Sequence, residues 1–352
     1  MKKTKFYSYC KGSLYQGCKL CVRGYKLVLF VTGICPRNCM FCPISDKKKN
    51  KDVTYANEWP ITNDQQILQE AKNCTAKGAS LTGGDPLSRL DRSIKYIRLL
   101  KKEFGNNFHI HLYTSLDLVT EKTLKKLHDA GLDEIRFHPS LDSDELWNRL
   151  TLAKKFSWKV GVEIPAIPGY EKVTKELLDF INGKVDFLNI NELEISDNNF
   201  NSLDQKGFKI KNQLSYAIKG SEAMAKKLLK YAKIKNVHYC TAKLKDRVQL
   251  QNRLKLRAKK IHKPYDFVTD EGMLFRGAIY SDNDLEPLKK TLMKEFKIPP
   301  SMIEIDLQRK RLLTSALIVD ELKNKLKAKC LKIAIVEEYP TYDRLEVMVD
   351  YL

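Results

Sequence analysis

Residues 26–42 read KLVLFVTGICPRNCMFC. The first part is a β-branched and leucine-rich run, Lys26–Gly33, which predicts a strand closed by glycine. Three cysteines follow at once, Cys35, Cys39 and Cys42, in the spacing C-x3-C-x2-C. Three thiolates on one loop can hold three irons of a four-iron cluster and leave the fourth iron open to another ligand. A catalytic zinc ion keeps an open position in the same way, so spacing alone does not choose the metal.

Working outward, the same alternation recurs. Predicted strands cover 79–82, 108–114, 133–137, 158–164 and 186–195, and predicted helices cover 64–77, 92–104, 121–130, 143–156, 174–182 and 216–234. Six strand–helix units in succession imply an α/β chain with a parallel sheet, because each crossover helix returns the chain to the same end. Glycine and proline punctuation follows the strands, so the strand ends should gather on one face, as in a partial (β/α)6 barrel. A short strand at 236–240 closes this region. A basic helix at 243–261 (KLKDRVQLQNRLKLRAKKI) comes next, read as a solvated face in preference to an RNA-binding ridge. Beyond Pro264 a small α+β domain of ferredoxin-like order is expected. The expected organisation is therefore an N-terminal Cys-rich segment (1–25), a core barrel (26–240), a basic linker (241–264) and a small C-terminal domain (265–352).

The chain has 352 residues, nine cysteines and a formal net charge of +20. No apolar run reaches the roughly 20 residues of a membrane helix. The basic start, Met1–Lys5, lacks the apolar segment of a signal peptide, so a cytoplasmic protein without a disulfide framework is expected. The charge suits a polyanion such as RNA, although a lysine-rich composition explains it equally well. Six cysteines fall within the first 42 residues. Beyond the three already named, Cys10, Cys18 and Cys21 have the bite of a second metal site, with Cys240 the expected fourth ligand and His238 in reserve. Zinc or an auxiliary iron–sulfur cluster would suit it. Cys74 and Cys330 are read as small buried thiols.

The cysteine loop resembles the signature of the radical S-adenosylmethionine (SAM) superfamily, including the aromatic Phe41 before the third cysteine. Thr82-Gly83-Gly84-Asp85-Pro86 resembles that superfamily's Gly-Gly-Glu-Pro motif, with Asp85 in place of Glu. The resemblance implies a TIM-like radical SAM barrel whose cysteines Cys35, Cys39 and Cys42 carry a [4Fe–4S] cluster. It implies that the Gly83–Pro86 backbone receives the methionine ammonium of SAM. Thr114 and Ser115 are expected near the ribose, and Arg136 or His138 opposite the methionine carboxylate. The stretch Glu163–Gly169, with Ile167, should flank the adenine, and Asn191 and Glu192 should complete the same face. Tyr55-Ala56-Asn57-Glu58 and Val336-Glu337-Glu338-Tyr339-Pro340-Thr341 make the whole chain similar to an archaeal group related to activating enzymes for pyruvate formate-lyase.

That membership implies reductive cleavage of SAM to a 5′-deoxyadenosyl radical, which abstracts hydrogen from a substrate. It also implies a one-electron donor of ferredoxin or flavodoxin type. The charge and the appended domain favour transfer RNA or another RNA as substrate. A protein or peptide activated by hydrogen abstraction is the alternative. A third reading is a non-enzymatic, zinc-stabilised RNA-binding protein.

Overall fold

The computed structural model describes residues 1–213 and 215–352. It divides into two compact units, Met1–Lys72 with Ala76–Leu250 and Asn73–Thr75 with Gln251–Leu352.

The first unit is built on one sheet. In chain order its elements are β1 (Tyr9–Lys11), α1 (Gln16–Val22), β2 (Lys26–Thr32), α2 (Asp64–Asn73), β3 (Gly78–Gly83), α3 (Leu90–Phe104), β4 (His109–Thr114) and α4 (Glu121–Asp129). Then come β5 (Glu134–Phe137), β6 (Lys159–Ala166), α5 (Glu171–Ile181), β7 (Phe187–Glu192), α6 (Ser221–Tyr231) and β8 (Val237–Cys240). Strands β2 to β8 are consecutive neighbours and all parallel. The strand order is a path and not a ring: β1 adds antiparallel to β8 at one edge, and the short strands Tyr55–Ala56 and Trp59–Pro60 flank β2 at the other. Strand β2 buries Leu27, Leu29 and Val31 completely on one face, and turns Val28 and Phe30 on the other toward a cavity.

Several expectations shift here. Helix α2 stops at Asn73, short of the expected residue 77, because Thr75 takes a positive φ of 49° that no helix continues through. The stretch expected as a helix over 143–156 forms a 3-10 helix at Trp147–Lys155 instead. Its Ser143 hydroxyl accepts from the Glu145 N–H and its Thr151 hydroxyl donates to the Asn148 carbonyl, local bonds that compete with an α-helical ladder. The basic stretch is not one regular helix. A short helix at Ala242–Leu244 passes into a π-helical turn, Lys245–Leu250, and only then into α7 (Gln251–Ile261). Cys74 is buried as expected, but Cys330 is exposed: it sits in a left-handed turn with φ 58° just after a helix and points to solvent. No helix among the described residues is long and apolar enough to cross a membrane.

After α7 the second unit runs β9 (Leu274–Tyr280), α8 (Leu285–Phe296), β10 (Ile303–Asp306), β11 (Arg311–Thr314), α9 (Ala316–Ala328), β12 (Lys332–Glu338) and β13 (Glu346–Tyr351). Its sheet is antiparallel throughout, in the order β10-β11-β9-β12-β13. Its apolar core includes Ile279, Leu292, Leu312, Val319 and Ile333. Its ionic centre is Arg311, which is fully buried. The guanidinium meets Asp306 at 3.0 Å and Glu346 at 2.6 Å, and it is also paired with the buried Glu338. Taking away one partner of such a group strands the others without solvent or counter-ion. Arg311→Ala is therefore expected to destabilise this unit by about 3–5 kcal/mol, read as a lower denaturant midpoint. An unchanged midpoint would show that water satisfies the carboxylates.

Candidate active site

The cysteine loop leaves β2 at Thr32 and is closed before it goes on. Gly33 N–H donates to the Lys51 carbonyl (2.8 Å), and Asn50 N–H donates back to the Gly33 carbonyl (3.0 Å). Within it the Cys42 N–H donates to the Cys39 carbonyl at 3.1 Å. The next strand end is laced onto its root: Gly84 N–H donates to Thr32 O (2.8 Å) and Asp85 N–H to Ile34 O (2.9 Å). A β-carbon on Gly84 would lie 2.5 Å from the Ile34 carbonyl oxygen and 2.7 Å from that of Gly33. Glycine is needed there because two backbones run closer than a side chain permits.

Asp85 does not face the cavity. Its buried carboxylate accepts from Leu87 N–H (2.9 Å), the Thr114 hydroxyl (2.8 Å), and the N–H and hydroxyl of Ser115 (3.0 and 2.7 Å). Burial pushes this carboxyl above its ordinary range, and the four donors recover only part of that shift. Thr114 and Ser115 therefore give their hydroxyls to Asp85 while still lining the cavity.

The strand ends enclose a cavity of about 510 Å3. Cys35, Cys39, Cys42, Phe41, Gly83, Gly84, Thr114, Ser115, His138, Glu163 and Asn191 all line it, so most of the residues singled out in the sequence are brought together. All nine cysteines are free thiols. Burial pushes the Cys35 thiol up to about 11, so its ionisation would follow metal binding and release a proton.

Besides Asp85, four expected residues, Arg136, Glu192, Ile167 and Pro86, do not line the cavity. Arg136 lies fully buried behind the wall, bonded to Glu134 (2.6 Å), Glu163 (2.9 Å), the Tyr113 hydroxyl (3.0 Å) and the Cys18 sulfur (3.4 Å). No donor remains aimed at a methionine carboxylate. His138 lines the cavity, but burial, with the nearby Arg37 charge, lowers its pKa to about 4, so it is neutral at pH 7. Glu192 points away from Asn191, as successive strand residues must, and accepts from Ala242 N–H at 2.9 Å. Ile167 and Pro86 are buried and are not among the lining side chains.

Other residues line the cavity without having been foreseen: Arg37, Asn38, Lys49, Cys21, Tyr113 and Gln249. Arg37 and Lys49 are the cations that face it. Arg37 and Asn38 sit inside the cysteine motif itself, a signal that was available. Gln249 is carried inward by the π-helical turn, which no periodicity announced. Glu163 is the hub of the inner wall. Burial alone would raise its carboxyl, but Arg136 and the amides of Asn189 (2.8 Å) and Asn191 (2.9 Å) outweigh that and hold it below its ordinary value.

No second metal site is shown. Among the described residues no three His, Cys, Asp or Glu side chains stand as a group for a single metal ion, and that holds for Cys35, Cys39 and Cys42 as well as for the second set. Cys18 is buried between Arg136 and Asn189, Cys21 lines the cavity, Cys240 packs with Val22, Leu244 and Val248, and Cys10 stands on β1 opposite His238. Apolar burial pushes the Cys240 thiol well above its usual range, as burial does that of Cys35, so thiol ionisation does not distinguish the two sets.

The first set fits the expected groups. Three thiols from one loop, a two-glycine cradle beside them, and a cavity within the roughly 300–1,000 Å3 of small-molecule sites suit a [4Fe–4S] cluster with SAM. Such a fold and site define a radical SAM enzyme. The radical SAM superfamily profile matches residues 29–181, and residues 272–350 match a domain of unknown function, DUF8061. A protein of Methanocaldococcus jannaschii, provisionally named a glycyl-radical enzyme activating enzyme, is 44% identical over 348 residues, 95% of this chain and 92% of its own length. Biotin synthase of Rickettsia felis is 28% identical over 134 residues, 37% of this chain and 41% of that protein. Among solved structures, methylornithine synthase aligns at 16% identity with a TM-score of 0.40, over 60% of this chain and 66% of that one. The chain belongs to the radical SAM superfamily and is an enzyme of that class, with the [4Fe–4S] cluster and SAM that the family implies. The reading as a non-enzymatic zinc-stabilised RNA-binding protein is thereby overturned.

Two substitutions test the way the site is held. Gly84→Ala should force the Gly83–Pro86 turn off the cysteine loop at a cost of about 1–3 kcal/mol, and reconstituted protein should hold less iron than wild type. Asp85→Asn places an amide donor among donors and should cost about 1–3 kcal/mol for each group left unpaired. A melting curve and iron content equal to wild type would show that neither contact matters.

Proposed function

We propose that this enzyme abstracts hydrogen from a polypeptide presented at the mouth of the cavity, in the manner of a glycyl-radical enzyme activating enzyme. The observation that carries this reading is the composition of the cavity at the strand ends. Three thiols on one loop share it with Glu163, Asn191 and Gln249, whose carboxylate and amide groups offer the acceptors and donors that pair with a peptide backbone. The name of the 44% identical relative, which aligns with nearly the whole chain, supports the same choice. The charge of +20 suits an acidic polypeptide as well as it suits RNA.

Bound together, the cluster and SAM supply a one-electron cleavage of the sulfonium carbon–sulfur bond that yields a 5′-deoxyadenosyl radical. Cys35, Cys39 and Cys42 would hold three irons and leave one open. The Gly83–Gly84 backbone would lie along the methionine ammonium, and Arg37 or Lys49 would face the carboxylate, since Arg136 is committed to Glu134 and Glu163. Asp85 would act through the turn and not on either ligand. Phe41, whose ring centre lies 5.4 Å from that of His138, would exclude water from the reacting end. In this reading the cysteines Cys10, Cys18, Cys21 and Cys240 hold no second metal.

The second unit belongs to the same proposal. Its element order from β9 to β12, β-α-β-β-α-β, with β9 and β11 at the centre of those four strands, supports a ferredoxin-like arrangement.

Anaerobically reconstituted enzyme given SAM and dithionite should release 5′-deoxyadenosine, and Cys39→Ala should not. Release should rise with a fraction of host extract that protease destroys and ribonuclease spares, and a glycine-centred radical should appear in that fraction by electron paramagnetic resonance. Stimulation by transfer RNA, abolished by ribonuclease, would overturn the polypeptide reading.

A further inference from the structure

Immediately after Cys42 the chain reads Pro43-Ile-Ser-Asp-Lys-Lys-Lys-Asn-Lys51, placing four lysines within nine residues of a cluster ligand. The segment is a defined turn. The N–H groups of Lys48 and Lys49 both donate to the Ser45 carbonyl at 2.8 Å, and the Gly33–Lys51 and Gly33–Asn50 bonds seal it to the root of the cysteine loop. A β-carbon on Gly33 would lie 1.7 Å from the Lys48 carbonyl oxygen, so the turn lies flat on that glycine. The cysteines and the lysines thus share one closed loop, and any body resting on the turn rests against the cluster's own support.

The lysines divide by role. Lys48 lies over the rings of Tyr55 and Phe30, 4.0 and 5.3 Å from their centres. Lys49 lines the cavity and reaches Asn198 at 3.4 Å. Lys47 and Lys51 are exposed and make no ion pair among the described residues. The acids nearby offset them only in part. Asp52 is held by Arg92 at 2.6 Å, Arg89 at 2.8 Å and the Thr32 hydroxyl at 2.9 Å, while Asp46 accepts from the neutral Asn198 amide and keeps its charge. What remains is an outward patch of net positive charge, Lys47 and Lys51 against Asp46, on the loop that carries the cysteines.

A radical SAM enzyme needs one electron for each SAM that it cleaves to 5′-deoxyadenosine. We propose that the exposed face of the 46–51 turn, with Lys47 and Lys51 at its centre, is the docking surface for an acidic one-electron carrier protein, of iron–sulfur or flavin type. The carrier is oxidised by one electron, which would pass by way of the cluster to the sulfonium of SAM; as the carbon–sulfur bond breaks, the sulfur keeps an electron pair as a thioether and the adenosyl carbon keeps one electron. Methionine leaves, and the adenosyl carbon is completed by the hydrogen atom taken from substrate. The surface serves the cluster and not the substrate, so it stands on the family membership alone, whatever the substrate proves to be. Two opposed charge patterns steer the encounter and orient the carrier's redox centre toward the cysteine loop, while adding modest affinity.

The test compares reconstituted wild type with Lys47→Glu/Lys51→Glu, and with Lys122→Glu/Lys126→Glu, which changes the net charge equally on the exposed side of α4. Affinity for an oxidised low-potential ferredoxin and for a flavodoxin is measured by calorimetry at low and high salt. Cluster bleaching is then followed with each reduced carrier and with dithionite. The turn variant should bind a carrier about tenfold more weakly at low salt and lose the steep salt dependence of wild type. Its bleaching by the reduced carrier should slow by a similar factor, with dithionite bleaching unchanged and the α4 variant like wild type. Equal weakening in both variants would show a general charge effect and overturn the proposal. So would unchanged carrier binding with impaired transfer RNA binding, or dithionite bleaching slowed as much as carrier bleaching.

Discussion

Of the four hydrogen bonds that converge on the buried Asp85 carboxylate, the three from Thr114 and Ser115 hold the end of β3 to the end of β4, and the one from Leu87 N–H fixes the turn itself. The backbone bonds from Gly84 and Asp85 to Thr32 and Ile34 hold the same turn to the end of β2. Three strand ends are therefore fastened at one point, and the cysteine loop departs from that point. Without it, three thiols would sit on a tethered but wandering loop, since thiols make weak hydrogen bonds and cannot position one another. The carboxylate is removed from ligand chemistry by the very bonds that make it structural. This explains how an aspartate can stand where a glutamate is usual. The shorter side chain reaches the adjacent strand and stops there.

A second constraint lies deeper. Arg136 spans Glu134 on its own strand and Glu163 on the next, and Glu163 collects two amides from β7. A cation of this kind, fully desolvated, is tolerable only because its donors are met on every side. The network sets the position of the one carboxylate that reaches the cavity, and it leaves Arg37 and Lys49 as the positive groups there. The electrostatics of the site thus come from the cysteine loop and the turn after it, while the barrel interior supplies neutral amides and a paired carboxylate. Positive charge concentrated on one loop also suits the reduction of a cluster by a negatively charged protein.

The alternation of strands and helices, the parallel sheet and the cysteine triad with its glycine turn were legible in the residues, because each depends on local rules: period, punctuation and ligand spacing. Asn191 and Glu192 show where reading by position fails. Both end the same strand, yet only one can face inward, and the two had been assigned together. Arg136 shows a different failure. A basic residue at a strand end was correctly marked as unusual, but its partners lie 27 residues away on β6 and 118 away on α1, distances that no pattern encodes.

By itself the sequence determined a loop of three cysteines after a strand, followed by a Gly-Gly-Asp-Pro turn, and the resemblance of these motifs to the radical SAM signature implied a cluster with an open iron and a small ligand beside it. Only the tertiary structure decided which cysteines stay out. Cys18 is held between Arg136 and Asn189, and Cys240 packs with Val22, Leu244 and Val248, both outside the loop that carries Cys35. It also decided that Gln249 enters the cavity, through a π-helical turn with no sequence signature, and that Lys47 and Lys51 face outward. Ligand spacing is written along the chain and can be counted there. Exposure, pairing and desolvation belong to contacts between distant segments, and they exist only once the chain has folded.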